Sequence, residues 1–171
     1  MVKKEKKVIL VDSKDNILGF QEKFAAHKNP AALHRSISIL IFDKSGKLVL
    51  IQKRSNYKKT WPLFWTNTVC ADVLPGETYP QTAKRRLKEE MGFSTKIKEA
   101  FSFIYKFKYD KVWGEHELDH VFIGKYEGDV KPSPKEAAGY EWIEIKELMR
   151  DLKKNPKKYT PWFKIILKKV V

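Results

Sequence analysis

The segment GEHELDH, residues 114–120, spaces Glu115, Glu117 and Asp119 two apart. Side chains alternate faces along a β-strand, so this spacing sends all three acids to one face and His116 and His120 to the other. Three carboxylates on one face repel each other unless a cation or a proton lies among them. An acidic solvent face would account for any one of them. It accounts less well for a tight trio in a chain with a net charge of +14. A second set of acids, Glu77, Glu89 and Glu90, brackets a helical pattern in which Arg85/Glu89 and Arg86/Glu90 share faces at i,i+4. A solvated, ion-paired helix explains the pairs; with Glu77 added, the three carboxylates can also converge on a hard cation such as Mg²⁺. His27 and His34 stand seven apart across a Pro-containing turn. Two imidazoles and two carboxylates suit Mn²⁺, Zn²⁺ or Mg²⁺ where a fold unites them, which spacing alone does not decide. Cys70 is the only cysteine, and a lone thiol is most often a small buried hydrophobe. It follows an aromatic run (Trp61, Phe64, Trp65) and precedes Asp72 and a Pro-Gly turn.

The elements that must position these groups follow from patterning. VILVDSKDNILGF reads as two short strands about a polar turn. RSISILIFDKSGKLVLIQKR is the clearest hairpin, with DKSGK as its turn. TYPQTAKRRLKEEMGF reads as a helix whose stripe is Ala83, Leu87 and Met91 and whose stop is Gly92. AFSFIYKFKY and HELDHVFIGKY follow as strands, EWIEIKELMRDLKK as a strand passing into a helix, and TPWFKIILKKV as a helix with Pro near its start. This order predicts a mixed sheet covered by helices. The 171 residues suit one domain, 1–171, with no repeat or dividing linker. At 42% hydrophobic and 13% aromatic residues the chain is globular, not disordered. A single cysteine excludes an intrachain disulfide framework and a Cys-rich zinc site. No apolar run approaches a membrane span and MVKKEKKVIL lacks a signal-peptide core, so a soluble cytoplasmic protein is expected. The excess of 35 basic over 21 acidic residues favours an anionic partner, nucleic acid first and a phosphorylated small molecule second. No zinc finger, RNA-recognition motif or Gly-rich phosphate loop supports the first.

GETYPQTAKRRLKEEMGF resembles a Nudix box, with Glu77, Arg85, Leu87, Glu89, Glu90, Gly92 and Phe93 in register. Ala71 replaces the first Gly, and Arg86 replaces a Glu that helps Nudix hydrolases bind metal. Arg at that position is similar to type 1 isopentenyl-diphosphate isomerases, where it binds diphosphate. KFAAHKNPAALHRS, KKTWPLFWTNTVC, WGEHELDH and TPWF resemble the same family, in the same order, over nearly the whole chain. The resemblance implies a Nudix-like α/β fold: a mixed sheet sandwiched by helices, with an N-terminal β-hairpin extension. It implies interconversion of isopentenyl and dimethylallyl diphosphate through a tertiary carbocation. By the same resemblance Cys70, Glu117 and Tyr105 are catalytic, with Glu117 protonating the alkene and Cys70, as thiolate, taking the second proton. Trp162 lines the isoprenoid pocket, and Trp61, Phe64 and Trp65 would supply its walls. His27, His34, Glu115 and Glu117 match metal ligands. Glu90 matches a ligand of Mg²⁺ riding on the diphosphate, and Lys23, Arg54, Lys58 and Arg86 match its cationic clamp. Asp72 stands where the family has a His ligand. If Asp72 still binds, the second metal is expected to be Mn²⁺ or Mg²⁺ in preference to Zn²⁺. A monomer acting on a small isoprenoid diphosphate, with neither nucleic acid nor membrane as partner, completes this reading. Its rival is a Nudix hydrolase of a nucleoside or isoprenoid diphosphate, which the Glu89–Glu90 pair favours. A basic nucleic-acid-binding module is the third.

Overall fold

The computed structural model describes residues 6–171. Residues 1–5, which carry part of the basic KKEKK run and of the N-terminus read as lacking a leader, lie outside the described residues. Strands β1 (Lys7–Val11) and β2 (Ile17–Glu22) form the expected N-terminal antiparallel hairpin, and α1 (Lys23–His27) follows directly. The sequence gives α1 no periodic signal at five residues. It forms because the Glu22 carboxylate accepts from the amides of Phe24 and Ala25, satisfying two of the free donors of a first turn.

Strand β3 (His34–Phe42) is the centre of a mixed sheet. It pairs in parallel with β8 (Gly114–Lys125) along its whole length, and β8 pairs antiparallel with β7 (Ile97–Lys108). On its other edge β3 meets first β6 (Val69–Asp72) and then β4 (Leu48–Arg54). The β3–β4 hairpin expected from sequence is therefore short, with only Ile41↔Leu50 and Phe42↔Val49 paired. Thr68 is the wedge: its hydroxyl accepts from the Ile41 amide at 3.0 Å and donates to the Leu50 carbonyl at 2.6 Å, taking over ladder positions from backbone. Beyond the wedge β4 pairs with β5 (Trp65–Thr66), and along its other edge it pairs over its whole length with β9 (Ala137–Glu144).

Alternation on β3 feeds two cores. Ile37, Ile39 and Ile41 pack with Ala83, Leu87 and Met91 of α2 (Tyr79–Met91). Leu40 and Phe42 pack on the opposite face with Leu148 of α3 (Ile145–Lys154) and Phe163, Ile166 and Leu167 of α4 (Pro161–Val170). The sheet is thus sandwiched by helices, as the order of elements predicts. The Thr78–Gln81 capping box starts α2, and Gly92, at φ 79°, ends it in the left-handed region where a Cβ is costly. Burial of whole Ile, Leu and Phe side chains on both faces, about 1.5–3 kcal/mol each, holds the sheet rigid beneath the polar groups it carries.

Candidate active site

Register, not loop geometry, assembles the polar centre. His34 lies opposite Glu117, Ser36 opposite both Asp72 and Asp119, Ser38 opposite Cys70, and Tyr105 opposite Glu117. Each of β3, β6, β7 and β8 thereby sends alternate polar residues to one face, at one end of the sheet. The predicted separation of the acids from His116 and His120 is observed: Glu115, Glu117 and Asp119 are buried, whereas the two histidines are part-exposed on the other face.

His27, His34, Glu115 and Glu117 bring one ligand atom each within 4.8 Å of one another, all four buried. Both imidazoles are oriented from behind. Nδ1 of His27 donates to the Lys23 carbonyl at 2.7 Å and Nδ1 of His34 to the Ala32 carbonyl at 2.8 Å, since a carbonyl only accepts. Both Nε2 atoms are left facing the acids, an arrangement that fixes the tautomer of a metal-binding histidine. Nε2 of His27 lies 3.1 Å from Glu115, and Nε2 of His34 lies 3.7 Å from Glu117. Oε2 of Glu115 is buried with only Nε2 of His27 within reach. Two imidazoles and two buried carboxylates fit a divalent cation.

Asp72 flanks this group without belonging to the converging four. Its Oδ1 is 3.2 Å from Nε2 of His34 and 3.8 Å from Nε2 of His27, and Oδ2 is ion-paired with Lys23 at 2.7 Å. Lys23 thus neutralises an acid beside the cluster. Glu77, Glu89 and Glu90 do not converge, contrary to one reading of their spacing. Glu77 is held by Arg85 and Thr82, and Glu89 by Arg85 and Arg86. Glu90 is buried, with one oxygen on Arg86 and the other on Gln52. The arginines of the helix satisfy the acids locally, which spacing along the chain permits but does not require.

A cavity opens on the polar centre. Cys70, Glu117, Tyr105 and Trp162 line its inner end, and Arg54, Lys58 and Lys59 are among its other lining groups. An adjoining polar recess shares Lys23, Lys58, Cys70 and Asp72 and adds Arg85 and Arg86. The apolar walls are Phe24, Tyr57, Tyr105 and Trp162. Trp61, Phe64 and Trp65, expected there from sequence, instead pack in or against the core behind them. Trp61 abuts Trp162 edge-on with centroids 5.2 Å apart, so it supports the wall rather than forming it. Arg54 is buried and donates to the Trp61 and Thr60 carbonyls, pinning this loop while its guanidinium lies over the Trp162 ring.

Cys70 and Glu117 sit on strands flanking β3 on opposite sides. Cys70 donates to Oδ1 of Asn67 at 3.1 Å, and Nε1 of Trp162 donates to its sulfur at 3.2 Å. Burial pushes the thiol up to about 12, against the pull of Arg54. Burial thus favours the thiol over the thiolate at this position. Tyr105 donates to Oε2 of Glu117 at 2.5 Å. Burial and then the neighbouring Glu115 raise Glu117, whereas His27 outweighs burial and lowers Glu115. Asp119, fully buried, accepts from Ser38 at 2.7 Å, and burial followed by the charge of Glu117 raises it to about 8. The acid trio thus divides into one strongly ionised member and two whose proton affinity is enhanced.

Residues 32–163 match the NUDIX domain family. The chain is 42% identical over 167 residues to isopentenyl-diphosphate Delta-isomerase 2 of Aromatoleum aromaticum, covering 98% of this chain and 87% of that protein. It is 40% identical to the isopentenyl-diphosphate Delta-isomerase of Serratia proteamaculans, covering 94% and 89%. The chain belongs to the Nudix isopentenyl-diphosphate Delta-isomerase family. Its fold is also that of more distant solved structures. DR0079 from Deinococcus radiodurans superposes with a TM-score of 0.71 at 18% identity, covering 88% of this chain and 90% of that one. The Escherichia coli dihydroneopterin triphosphate pyrophosphohydrolase gives 0.59 at 20%, covering 84% and 95%.

Several residues of this isomerase-family site carry weak sequence signals or none. Asp119 was visible in the acid trio, but its Ser38 partner reads only as a strand residue. Thr60, which donates to Glu115 at 2.5 Å, and Asn67, beside Cys70, come from irregular segments without periodicity. Glu136 lines both recesses and contacts Lys58 and Arg86, yet PSPKEAAG carries no pattern that singles it out.

Proposed function

We propose that this chain interconverts isopentenyl and dimethylallyl diphosphate, moving a double bond by adding a proton at one carbon and removing one from another. The observation that carries this reading is the placement of two different acid–base groups, Cys70 and Glu117, across β3 in one cavity walled by Tyr105 and Trp162. A hydrolase of the diphosphate needs no second proton carrier of this kind. Arg86 also stands at the Nudix-box position where hydrolases carry a metal-binding Glu.

In the resting chain the proton is on Cys70, and Glu117 accepts from Tyr105. Cys70 and Glu117 exchange the roles of donor and acceptor according to the direction of reaction, which is what a reversible isomerisation requires. Tyr105 moves with Glu117 as its hydrogen-bond partner, and Asn67 and Trp162 hold the sulfur. The Trp162 ring stabilises a developing carbocation by its face, worth about 2 kcal/mol or more once desolvated. The aromatic walls exclude water that would capture the cation.

His27, His34, Glu115 and Glu117 would hold a divalent metal, with Oδ1 of Asp72 at the histidine edge. Three carboxylates with two imidazoles favour Mn²⁺ or Mg²⁺ over Zn²⁺. When bound, the metal supplies a fixed positive charge that orients Glu117 and sets its proton affinity. Lys23, Arg54, Lys58 and Arg86 would receive the diphosphate and its Mg²⁺. Glu90, whose oxygens are held by Gln52 and Arg86, would help hold that Mg²⁺ once Arg86 turned to phosphate oxygens. We further read the chain as a cytoplasmic monomer whose excess positive charge serves a small diphosphate rather than nucleic acid. No helix among the described residues is long and apolar enough to cross a membrane.

The test is incubation with isopentenyl diphosphate and Mg²⁺, with allylic product and phosphate followed separately. Allylic product without phosphate is expected. Phosphate release without isomerisation would transfer the site to the hydrolase reading.

A further inference from the structure

Glu136 is an acid in the wrong place for an anion site. Its Oε1 lies 2.8 Å from Nη2 of Arg86, and its Oε2 contacts Nζ of Lys58. The main chain around it is pinned: the Glu136 carbonyl accepts from the Ser55 amide at 3.0 Å, and the Lys135 carbonyl accepts from the Ser55 hydroxyl at 2.8 Å. The Glu136 amide donates to the Ser133 carbonyl, and the Ser133 amide to the Glu90 carbonyl. These bonds tie the segment to β4 and to the end of α2 and aim the carboxylate between two cations of the recess. Burial would raise Glu136, but Lys58 and Arg86 outweigh it and hold the carboxyl at about 2, so it is ionised throughout the physiological range.

An anion binding to both Lys58 and Arg86 must contend with this carboxylate, which already contacts the two. A bare diphosphate must displace it or bind beside it, and either leaves like charges in contact within a partly buried site. A diphosphate carrying Mg²⁺ does not. Mg²⁺ accepts one or two carboxylate oxygens together with phosphate oxygens, so the same carboxylate becomes an attractive contact. We propose that Glu136 is a specificity residue that occupies the anion's place between Lys58 and Arg86 and admits a Mg²⁺-bound diphosphate in preference to a bare one. This rests on the diphosphate reading above and adds to it the residue that discriminates between the two ionic forms.

The experiment is calorimetric titration of the purified protein, with its resident metal, with inorganic diphosphate in the absence and in the presence of Mg²⁺. Wild type, Glu136→Gln and Glu136→Asp are compared, and thermal unfolding and metal content are recorded for each. Wild type is expected to bind the Mg²⁺ form more tightly. Glu136→Gln is expected to bind bare diphosphate about tenfold more tightly than wild type does and to lose most of the preference. Glu136→Asp, which keeps the charge, is expected to retain the preference, an outcome that a merely structural role would not produce. The same preference in wild type and Glu136→Gln, or none in wild type, overturns the proposal. Allylic product formation by wild type reads the underlying isomerase assignment separately.

Discussion

The cavity and the recess that adjoins it give the site an inner and an outer end that solve the problem of charge in opposite ways. At the inner end the acids and histidines come from the sheet and from α1, are buried, and are packed against one another, with Asp119 Oδ1 left without a hydrogen-bond partner. At the outer end Lys58, Arg85 and Arg86 come from a loop and a helix, are partly exposed, and are already neutralised by Glu77, Glu89, Glu90 and Glu136. Most of the inner end is fixed by strand register, and its four buried groups would be held in place for a resident cation under the proposed function. The outer end can exchange partners, as a site that must bind and release an anion in every turnover requires.

Metal removal should break this comparison most visibly, because only the inner end depends on it. Chelation is expected to abolish activity and lower the melting temperature, and Mn²⁺ or Mg²⁺ add-back to restore both. A metal present at 100 times its Kd contributes about 2.7 kcal/mol. The effect has a pH signature. In the chelated protein the charges of Glu115 and Asp72 overcome burial and raise His27 to about 9. Its stabilising charge is fully present below the unfolded pKa, about 6.5, and is lost as pH rises through about 9. Metal binding needs the neutral imidazole, so the stabilisation on add-back should grow across that window. Calorimetry of the apo and loaded protein at pH 6 and pH 9 checks it; a stabilisation independent of pH would remove His27 from the ligand set.

Next in size is reversal of charge at the outer end. Arg86→Glu removes a bidentate phosphate partner and places an acid beside Glu90 and Glu136. Substrate binding should weaken by about tenfold or more, and further at low salt, where repulsion is less screened, while metal content is unchanged. Loss of the resident metal in this variant would show that the two ends are not independent.

Legibility in the sequence divides along the same line. The acid trio, the α2 stripe and the N-terminal hairpin follow periods of 2 and 3.6 that reading along a chain detects, and they appear as expected. The shortened β3–β4 pairing was hidden because a single side chain, Thr68, causes it. The roles of Cys70, Tyr105 and Trp162 came from family resemblance rather than from pattern. The thiol state of Cys70 depends on burial and on Asn67, Trp162, Arg54 and Asp119, which only the folded chain brings together. Glu136 carries no periodic signal, since its partners lie 78 residues away at Lys58 and on α2 at Arg86.

The smallest expected effect sharpens the histidine edge. Asp72→Ala should lower metal content in part, and Asp72→His should shift it toward Zn²⁺, since nitrogen replaces oxygen and one negative charge is lost. Elemental analysis of both variants beside wild type gives the answer, and unchanged content in both would leave Asp72 as a counter-ion of Lys23 alone.

Under the proposed function, two proton carriers on opposite flanks of β3, Cys70 and Glu117, act on one bound substrate. The direct measurement is isomerisation of isopentenyl diphosphate in deuterated water by wild type, Cys70→Ala and Glu117→Gln, each with metal content determined. Wild type should give allylic diphosphate carrying solvent deuterium with no phosphate released. Each variant should lose about 10²–10⁴-fold in rate, Cys70→Ala with its resident metal intact. Near-wild-type turnover by metal-loaded Cys70→Ala would contradict the account and return Cys70 to the role of a small buried hydrophobe.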